Sequence, residues 1–258
     1  MRLVTAILAA GLAMSALPAS AATTVQFTNI KGTWFDVVDG SSITITGSGT
    51  GTTEIRWGTP VPAGGSKSGY RFEQGGDLSL TVDPVTQTSA VTNIGQFTHF
   101  NFPIAEGSSI TAVKLKFETD VLVNGDPFGP VTFIYAFNHL ETPNGANPCA
   151  DGGPNNAGVN INGCADRVAV NFKQASGAFV IDNVEYALDV RGFLIGGNPA
   201  DLFWTTENAT NTAFIRGQVV ARDLAGVIPE PGIWAMLIAG FGMVGAAARR
   251  RRPVHAAA

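Results

Sequence analysis

Leu78-Ser79-Leu80-Thr81-Val82 and Val113-Lys114-Leu115-Lys116-Phe117 alternate apolar and polar residues with a period of two. Ile43-Thr44-Ile45-Thr46 alternates in the same way. Successive side chains of a β-strand point to opposite faces of the sheet, so this period indicates strands with one face on a core. The three segments therefore predict antiparallel sheet that is buried on one side.

Further segments rich in β-branched and aromatic residues follow along the chain: Val131–Phe137, Val168–Phe172, Ala178–Ile181, Val184–Val190 and Ala213–Val220. Turns rich in Gly, Asn, Asp and Pro separate them, such as Val123-Asn124-Gly125-Asp126-Pro127 and Gly196-Gly197-Asn198-Pro199. Between the terminal segments, no capped stretch of ten residues has a helical period. Many short strands without helices predict an all-β fold, an antiparallel β-sandwich or jelly roll.

The N-terminus has the three parts of a secretory signal peptide. Met1-Arg2 is positively charged, Leu3–Leu17 is apolar, and Ala19-Ser20-Ala21 is an A-x-A cleavage signature. An uncleaved anchor is the alternative, but the apolar run is short for a membrane span and ends at Pro18. We therefore expect residues 1–21 to be removed as a signal peptide.

The C-terminus combines a turn, an apolar segment and a basic cluster. Pro229-Glu230-Pro231 disfavours helix on its N-terminal side. Gly232–Ala248 contains no charge and would be about 25 Å long as a helix, near the lower limit for spanning a bilayer. Trp234 lies where an interfacial aromatic side chain would anchor the outer edge, and Arg249-Arg250-Arg251-Arg252 would mark the cytoplasmic end. We predict a transmembrane helix over 232–248, because four consecutive arginines disfavour the alternative of a buried core helix.

These C-terminal residues resemble a PEP-CTERM sorting signal. Pro229-Glu230-Pro231, Trp234-Ala235-Met236 and Ile238-Ala239-Gly240-Phe241-Gly242, followed by the arginines, are similar to the variant PEPxxWAMxIxGFG. The resemblance covers 229–258 and implies recognition by an exosortase, a membrane transpeptidase-like enzyme that cuts near Pro-Glu-Pro. It implies a Gram-negative producer of extracellular polysaccharide. The protein would be anchored in the inner membrane, facing the periplasm, and after processing would reach the cell surface or the medium.

Removal of both signals leaves residues 22–228, which we predict to be one domain. No charge run or proline-rich linker divides these 207 residues, a length that can enclose one sizeable core. They contain eleven Lys and Arg against nineteen Asp and Glu, a net charge of −8. A basic patch for phosphate groups is therefore not expected, which argues against a nucleic-acid partner.

The domain also resembles the choice-of-anchor K domain of bacterial surface proteins. The similar residues are Gly58-Thr59-Pro60, Ser68-Gly69-Tyr70-Arg71-Phe72, Phe97-Thr98-His99-Phe100-Asn101-Phe102-Pro103-Ile104, Pro148-Cys149 and Cys164-Ala165-Asp166-Arg167-Val168. Such domains are attached through differing C-terminal sorting signals, PEP-CTERM among them. The resemblance implies extracellular placement and no particular activity.

Cys149 and Cys164 are the only cysteines in the chain. In an exported protein such a pair predicts a disulfide, here closing a loop of about sixteen residues that has almost no core-forming side chains. Free thiols or a zinc site are the alternatives, but no CxxC and no nearby histidine complete a zinc set. We therefore predict a disulfide and no metal centre.

The same loop admits calcium as an alternative. Glu141, Asp151 and Asp166, with the neighbouring Asn carbonyls, offer the hard oxygen ligands that calcium takes. The spacing is neither that of an EF-hand nor that of a nonapeptide repeat. Asn and Gly are also the residues that turns require, so we expect turn chemistry and no cofactor.

His99 and Asn101 are the candidate ligand-site residues. Strand alternation places them on one face, where they could orient a substrate or take part in acid/base chemistry. His139 is the only other histidine of the domain, and no nucleophile motif accompanies either. Gly65-Ser66-Lys67-Ser68-Gly69 fits neither a nucleophile elbow nor a P-loop. We expect a hydrogen-bonded structural histidine.

The sequence therefore predicts a non-enzymatic surface or extracellular-matrix protein, sorted by its tail, with exopolysaccharide as a partner. One alternative is a carbohydrate-binding module that uses the aromatic residues Trp34, Trp57, Tyr70, Tyr135 and Trp204, although scattered aromatics in β-proteins usually lie in the core. A polysaccharide-acting hydrolase is the other, but its paired carboxylates cannot be placed from the sequence.

Overall fold

The computed structural model describes residues 21–224, together with Ile238, Ala239 and Phe241, which are helical. The predicted signal peptide lies outside the described residues except for Ala21. The predicted sorting residues Pro229, Glu230, Pro231, Trp234 and Arg249 to Arg252 also lie outside them. No helix in the described part of the chain is long and apolar enough to cross a membrane. The helix expected over 232–248 remains a prediction.

Within residues 21–224 the fold is all-β, as predicted. Its fourteen strands, in chain order, are β1 Thr23–Asp39, β2 Thr44–Thr46, β3 Thr52–Trp57, β4 Ser68–Gln74, β5 Leu78–Val82, β6 Thr92–Asn101, β7 Ile110–Val123, β8 Asp126–Leu140, β9 Asp166–Ser176, β10 Ala178–Ile181, β11 Val184–Ile195, β12 Asn198–Ala200, β13 Leu202–Thr205 and β14 Ala209–Asp223. A single 3-10 turn, Gly158–Asn160, lies in the loop between β8 and β9.

The strands form two antiparallel sheets in a sandwich-like arrangement. The first sheet has the order β13-β9-β8-β7-β1-β5, and the second has the order β10-β11-β14-β6-β4-β3-β2, with β12 paired to β11. Seven of the eight predicted strand segments fall within observed strands, and β5 and β10 coincide with the predicted ranges. The eighth, Ile43–Thr46, extends one residue beyond β2, and the three residues of β2 are exposed, so the prediction that one face of this segment is buried is wrong. The all-β, antiparallel prediction is confirmed.

Two predicted turns form tight hairpins. Val123 pairs with Asp126 across Asn124 and Gly125, and Ile195 pairs with Asn198 across Gly196 and Gly197. All four central residues have positive φ. A two-residue hairpin of type I′ requires positive φ at both central residues, and Asn and Gly adopt it at the lowest steric cost.

Aromatic side chains join the two sheets. Trp34 on β1 lies 5.8 Å from Tyr70 on β4 and 6.3 Å from Phe97 on β6, measured between ring centroids. Phe97 stacks on Phe137 of β8 at 5.3 Å. These rings belong to one buried apolar cluster formed by both sheets. Large aromatic side chains contribute most of the buried area in such a core.

The disulfide prediction is confirmed, since Cys149 and Cys164 are bonded. The enclosed loop is ordered by its own polar side chains. Asn155 donates through Nδ2 to the carbonyl of Asn144 at 2.8 Å, and Asn160 accepts a hydrogen bond from the amide of Ala165 at 2.7 Å. Because the loop buries few apolar groups, the covalent link and these hydrogen bonds provide its order.

Replacement of both cysteines by serine is expected to destabilise the domain by about 3 kcal/mol, because the unfolded chain regains the entropy of an open loop. For a domain of this size, that loss corresponds to a fall in melting temperature of roughly 6–12 °C. Thermal unfolding followed by circular dichroism measures it. Added reductant should lower the melting temperature of the unmodified protein and leave that of the double variant unchanged, so the double variant is the control. An unchanged melting temperature of the unmodified protein on reduction would contradict the prediction.

Candidate functional site

A polar cluster lies between the two sheets at the end covered by the disulfide-closed loop. Tyr70 and His99 come from β4 and β6 of the second sheet, while His139 and Asp166 come from β8 and β9 of the first. All four side chains are buried. A buried polar group is costly unless it has partners, so the contacts of each group indicate what the cluster can do.

His99 is held by Thr205, at the end of β13. The Nδ1 atom of His99 lies 2.8 Å from Oγ1 of Thr205. When that hydroxyl donates a hydrogen bond to the carbonyl oxygen of Asp166, 3.2 Å away, it accepts one from His99. In this arrangement the proton of His99 sits on Nδ1, and Nε2 presents a lone pair. This Nε2 atom is buried and has no hydrogen-bond partner among the described residues.

His139 is held at both ring nitrogens. Its Nδ1 atom lies 2.6 Å from the hydroxyl of Tyr70, and its Nε2 atom lies 3.4 Å from Oε2 of Glu141. Glu141 follows β8 immediately, and its side chain is 28% exposed, whereas that of His139 is fully buried. Glu141 thus connects the buried histidine with the solvent.

Asp166 is fully buried at the start of β9. One carboxylate oxygen, Oδ1, accepts a hydrogen bond from the backbone amide of Thr142 at 2.8 Å. The other, Oδ2, is buried without a hydrogen-bond partner among the described residues. Burial, followed by the charge of Glu141, raises the pKa of Asp166 well above its ordinary value.

The same buried environment shifts the pKa values of the neighbouring titratable groups. Burial and the charge of Glu141 raise the pKa of Glu207 to about 7. Burial, then the charges of Asp166 and Glu141, raises the pKa of the Tyr70 hydroxyl. Burial and then His139 lower the pKa of His99 well below its ordinary value, which favours the neutral imidazole. The cluster therefore disfavours ionised carboxylates and charged imidazole alike.

Aromatic rings separate the cluster from the solvent. The Trp57 ring stacks on that of His99 with centroids 6.1 Å apart, and it meets the ring of His139 edge-on at 5.3 Å. Tyr70 packs against Trp57 at 4.7 Å. Trp57 and Tyr70 are both fully buried.

The structure brings the two histidines of the domain together. The rings of His99 and His139, forty positions apart in the sequence, have centroids 5.2 Å apart. Potential ligand atoms of His99, His139 and Asp166 all lie within 4.8 Å of one another. Two imidazoles and a carboxylate are a donor set that can coordinate a divalent transition-metal ion.

Asn101, the second predicted ligand-site residue, lies beside this cluster. Its Nδ2 atom donates to the carbonyl oxygen of Thr205 at 3.1 Å, and its Oδ1 atom is buried without a partner among the described residues. The sequence pattern of β6 identified His99 and Asn101, but Tyr70, Asp166 and Thr205 were not assigned to their site. Only the pairing of strands that are distant in sequence could reveal those residues.

The three acids of the calcium alternative occupy different surroundings. Glu141 and Asp166 belong to the cluster. Asp151 instead accepts hydrogen bonds at both carboxylate oxygens from Nδ2 of Asn160, each at 3.0 Å, and at Oδ1 from the amide of Gly153. Asp151 therefore forms the turn contacts expected of a loop acid.

Four of the five aromatic residues considered for sugar stacking are buried, namely Trp34, Trp57, Tyr70 and Tyr135. Trp204 alone of these is partly exposed. It lies on β13, the edge strand of the first sheet, with the guanidinium carbon of Arg167 5.9 Å from its ring centroid.

Comparison with known proteins concerns the C-terminal tail. Residues 227–252 match the model of the PEP-CTERM protein-sorting motif. No curated protein shows a significant match to the chain. The sorting motif indicates exosortase-type sorting of an exported protein.

Proposed function

We propose that the chain is a non-enzymatic surface or extracellular-matrix protein. Its β-domain would persist outside the cytoplasm after the tail has directed its sorting. The observation that supports this role best is the enclosure of the polar cluster, the site of perturbed histidine and carboxylate groups. His99, Asp166 and Trp57 are fully buried. A polymer substrate cannot reach these groups in the folded domain, so they suit a structural role better than turnover.

Two further observations support a role outside the cytoplasm. The PEP-CTERM motif at 227–252 indicates export. The Cys149–Cys164 disulfide suits an oxidising compartment, because thiols are kept reduced in the cytosol. We place the β-domain first on the periplasmic side of the inner membrane and then at the cell surface or in the matrix, with exopolysaccharide as its partner. The resemblance of residues 57–220 to a choice-of-anchor K domain agrees with this proposal.

Replacement of Pro229 and Pro231 by alanine together should prevent processing, because the Pro-Glu-Pro residues of the sorting motif are lost. We expect the variant to remain in the inner-membrane fraction with its C-terminus intact. Cell fractionation and intact-mass spectrometry measure both properties. Pro199→Ala, at an exposed hairpin position outside the motif, is the matched control and should be processed normally.

The state of the C-terminus in the unmodified protein is a second test of processing. A surface-located protein that still carries residues 229–258 would show a simple anchor and contradict processing. Deletion of the exosortase-type enzyme from the producing cells should reproduce the double proline variant. Normal processing in that deletion would also contradict the proposed partner.

Carbohydrate binding is the second candidate function, and the position of Trp204 favours it. Leu202 and Trp204 lie two residues apart on edge strand β13, so they share one face, and Leu202 is 40% exposed. Arg167 lies on β9 directly opposite Trp204, so its side chain adds a hydrogen-bond donor to that face. An exposed aromatic ring beside a polar side chain can stack on a sugar.

Trp204→Ala should abolish retardation of the protein in gels containing the polysaccharide of the producing cells, because the stacking surface is removed. Phe214→Ala, which truncates a 41% exposed aromatic side chain on the other sheet, is the matched control and should migrate like the unmodified protein. Equal retardation of both variants would exclude Trp204 as the sugar platform. No retardation of the unmodified protein would exclude carbohydrate binding itself.

The hydrolase alternative depends on His99 becoming accessible. Turnover of polysaccharide or ester substrates by the purified protein, lost in His99→Ala, would replace the non-enzymatic proposal. We expect no turnover above that of the His99→Ala control.

A further inference from the structure

We propose that His99, His139 and Asp166 bind a divalent transition-metal ion between the two sheets, with Glu141 as an additional ligand at the rim. The inference is independent of the sorting proposal, because it concerns the described β-domain alone. Three properties of the cluster support it: the spacing of the ligand atoms, the availability of their lone pairs, and the grouping of three carboxyl groups without a lysine or arginine ion pair among the described residues.

The spacing is close to that of a coordination sphere. Two ligand atoms of a tetrahedral zinc ion lie about 3.3 Å apart, since zinc–nitrogen and zinc–oxygen bonds are about 2.0–2.2 Å long. Candidate ligand atoms of His99, His139 and Asp166 already lie within 4.8 Å of one another. Small side-chain rotations would therefore bring them into contact with one ion.

The lone pairs are available in a manner typical of metal ligands. When the Thr205 hydroxyl donates to the carbonyl of Asp166, His99 carries its proton on Nδ1 and Nε2 presents its lone pair. Nε2 has no hydrogen-bond partner among the described residues. Asp166 is held at Oδ1 by the Thr142 amide, while Oδ2 has no partner there. Metal-binding histidines and carboxylates are held in the same way by outer hydrogen bonds.

His139 can bind an ion through Nε2 when its proton is on Nδ1, the nitrogen that contacts Tyr70. When Nδ1 carries the proton, it donates to the Tyr70 hydroxyl oxygen, 2.6 Å away, and Nε2 is free for an ion. Glu141 then lies next to the same ion, because its Oε2 atom is 3.4 Å from Nε2 of His139. Its partly exposed side chain also marks the entry from solvent.

The charge balance favours a cation. Asp166, Glu141 and Glu207 lie close enough for their charges to affect one another. Among the ion pairs of the described residues, none joins a lysine or arginine to these three carboxylates. Ionised carboxylates are expensive to bury without a compensating charge, and a bound divalent ion would supply that charge.

The donor set selects the type of metal. Imidazole nitrogen favours zinc and other late first-row ions over calcium or magnesium, which prefer oxygen alone. The enclosure by Trp57 and Tyr70 suits a closed structural site. Because the ligands come from β6 of one sheet and from β8 and β9 of the other, the ion would tie the two sheets together.

Zinc content and zinc-dependent unfolding test this site in the exported protein, purified without a polyhistidine tag. After removal of metal with a chelator and dialysis, titration with zinc chloride alone should show one equivalent bound per chain and a higher melting temperature. Ions that bind only the folded state stabilise it by mass action. Absence of bound zinc and of any thermal shift would overturn the proposal.

Asp166→Asn is the most informative variant. Asparagine preserves the acceptor for the Thr142 amide and removes the charge, so the metal-free variant should melt at a temperature no lower than the metal-free parent. Its zinc affinity should nevertheless fall by at least about 100-fold, because even outer partners of metal ligands contribute 10–100-fold. Asp151→Asn, in the loop, is the matched control and should bind zinc like the parent.

His139→Gln provides a second ligand variant if Asp166→Asn does not fold. Thr205→Val tests positioning, since it removes the hydroxyl that orients His99 and should weaken zinc binding by about 10–100-fold. Unchanged zinc binding in folded Asp166→Asn or His139→Gln would overturn the site. Loss of binding in Asp151→Asn alone would instead place the ion in the loop and also overturn it.

Discussion

Burial of Asp166 beside two histidines is the constraint on which this end of the domain depends. The carboxylate is fully buried, and its pKa is raised by that burial and by Glu141. Neutral hydrogen bonds satisfy part of the cluster, while Nε2 of His99 and Oδ2 of Asp166 have no partner among the described residues. Such groups are retained at a cost in stability unless they bind something.

Tyr70 connects this polar cluster with the apolar core. Its ring packs against Trp34 and Phe97, which join the two sheets, and its hydroxyl contacts His139. The disulfide-closed loop covers the same end, and Asn162 donates a hydrogen bond to the Glu207 carbonyl there. Core packing, loop closure and the cluster therefore depend on one another, which suits a domain that works outside the cytoplasm.

The sequence predicted the all-β class, many strands and the two turns that form tight hairpins, because these follow from local period and turn chemistry. It missed β1, the longest strand, because register shifts between Thr28 and Lys31 and between Phe35 and Val38 interrupt its alternation. The cluster could not be assembled from the sequence, since His99 and His139 lie on different sheets. Their proximity results from the packing of the two sheets, which no local pattern specifies.

The central claim is that the buried cluster is a metal site that links the sheets. Anomalous X-ray diffraction at the zinc absorption edge, from crystals of the exported protein grown with zinc, tests it most directly. The account predicts one anomalous peak per chain within bonding distance of His99, His139 and Asp166. Well-ordered side chains at these positions with no peak between them would contradict it.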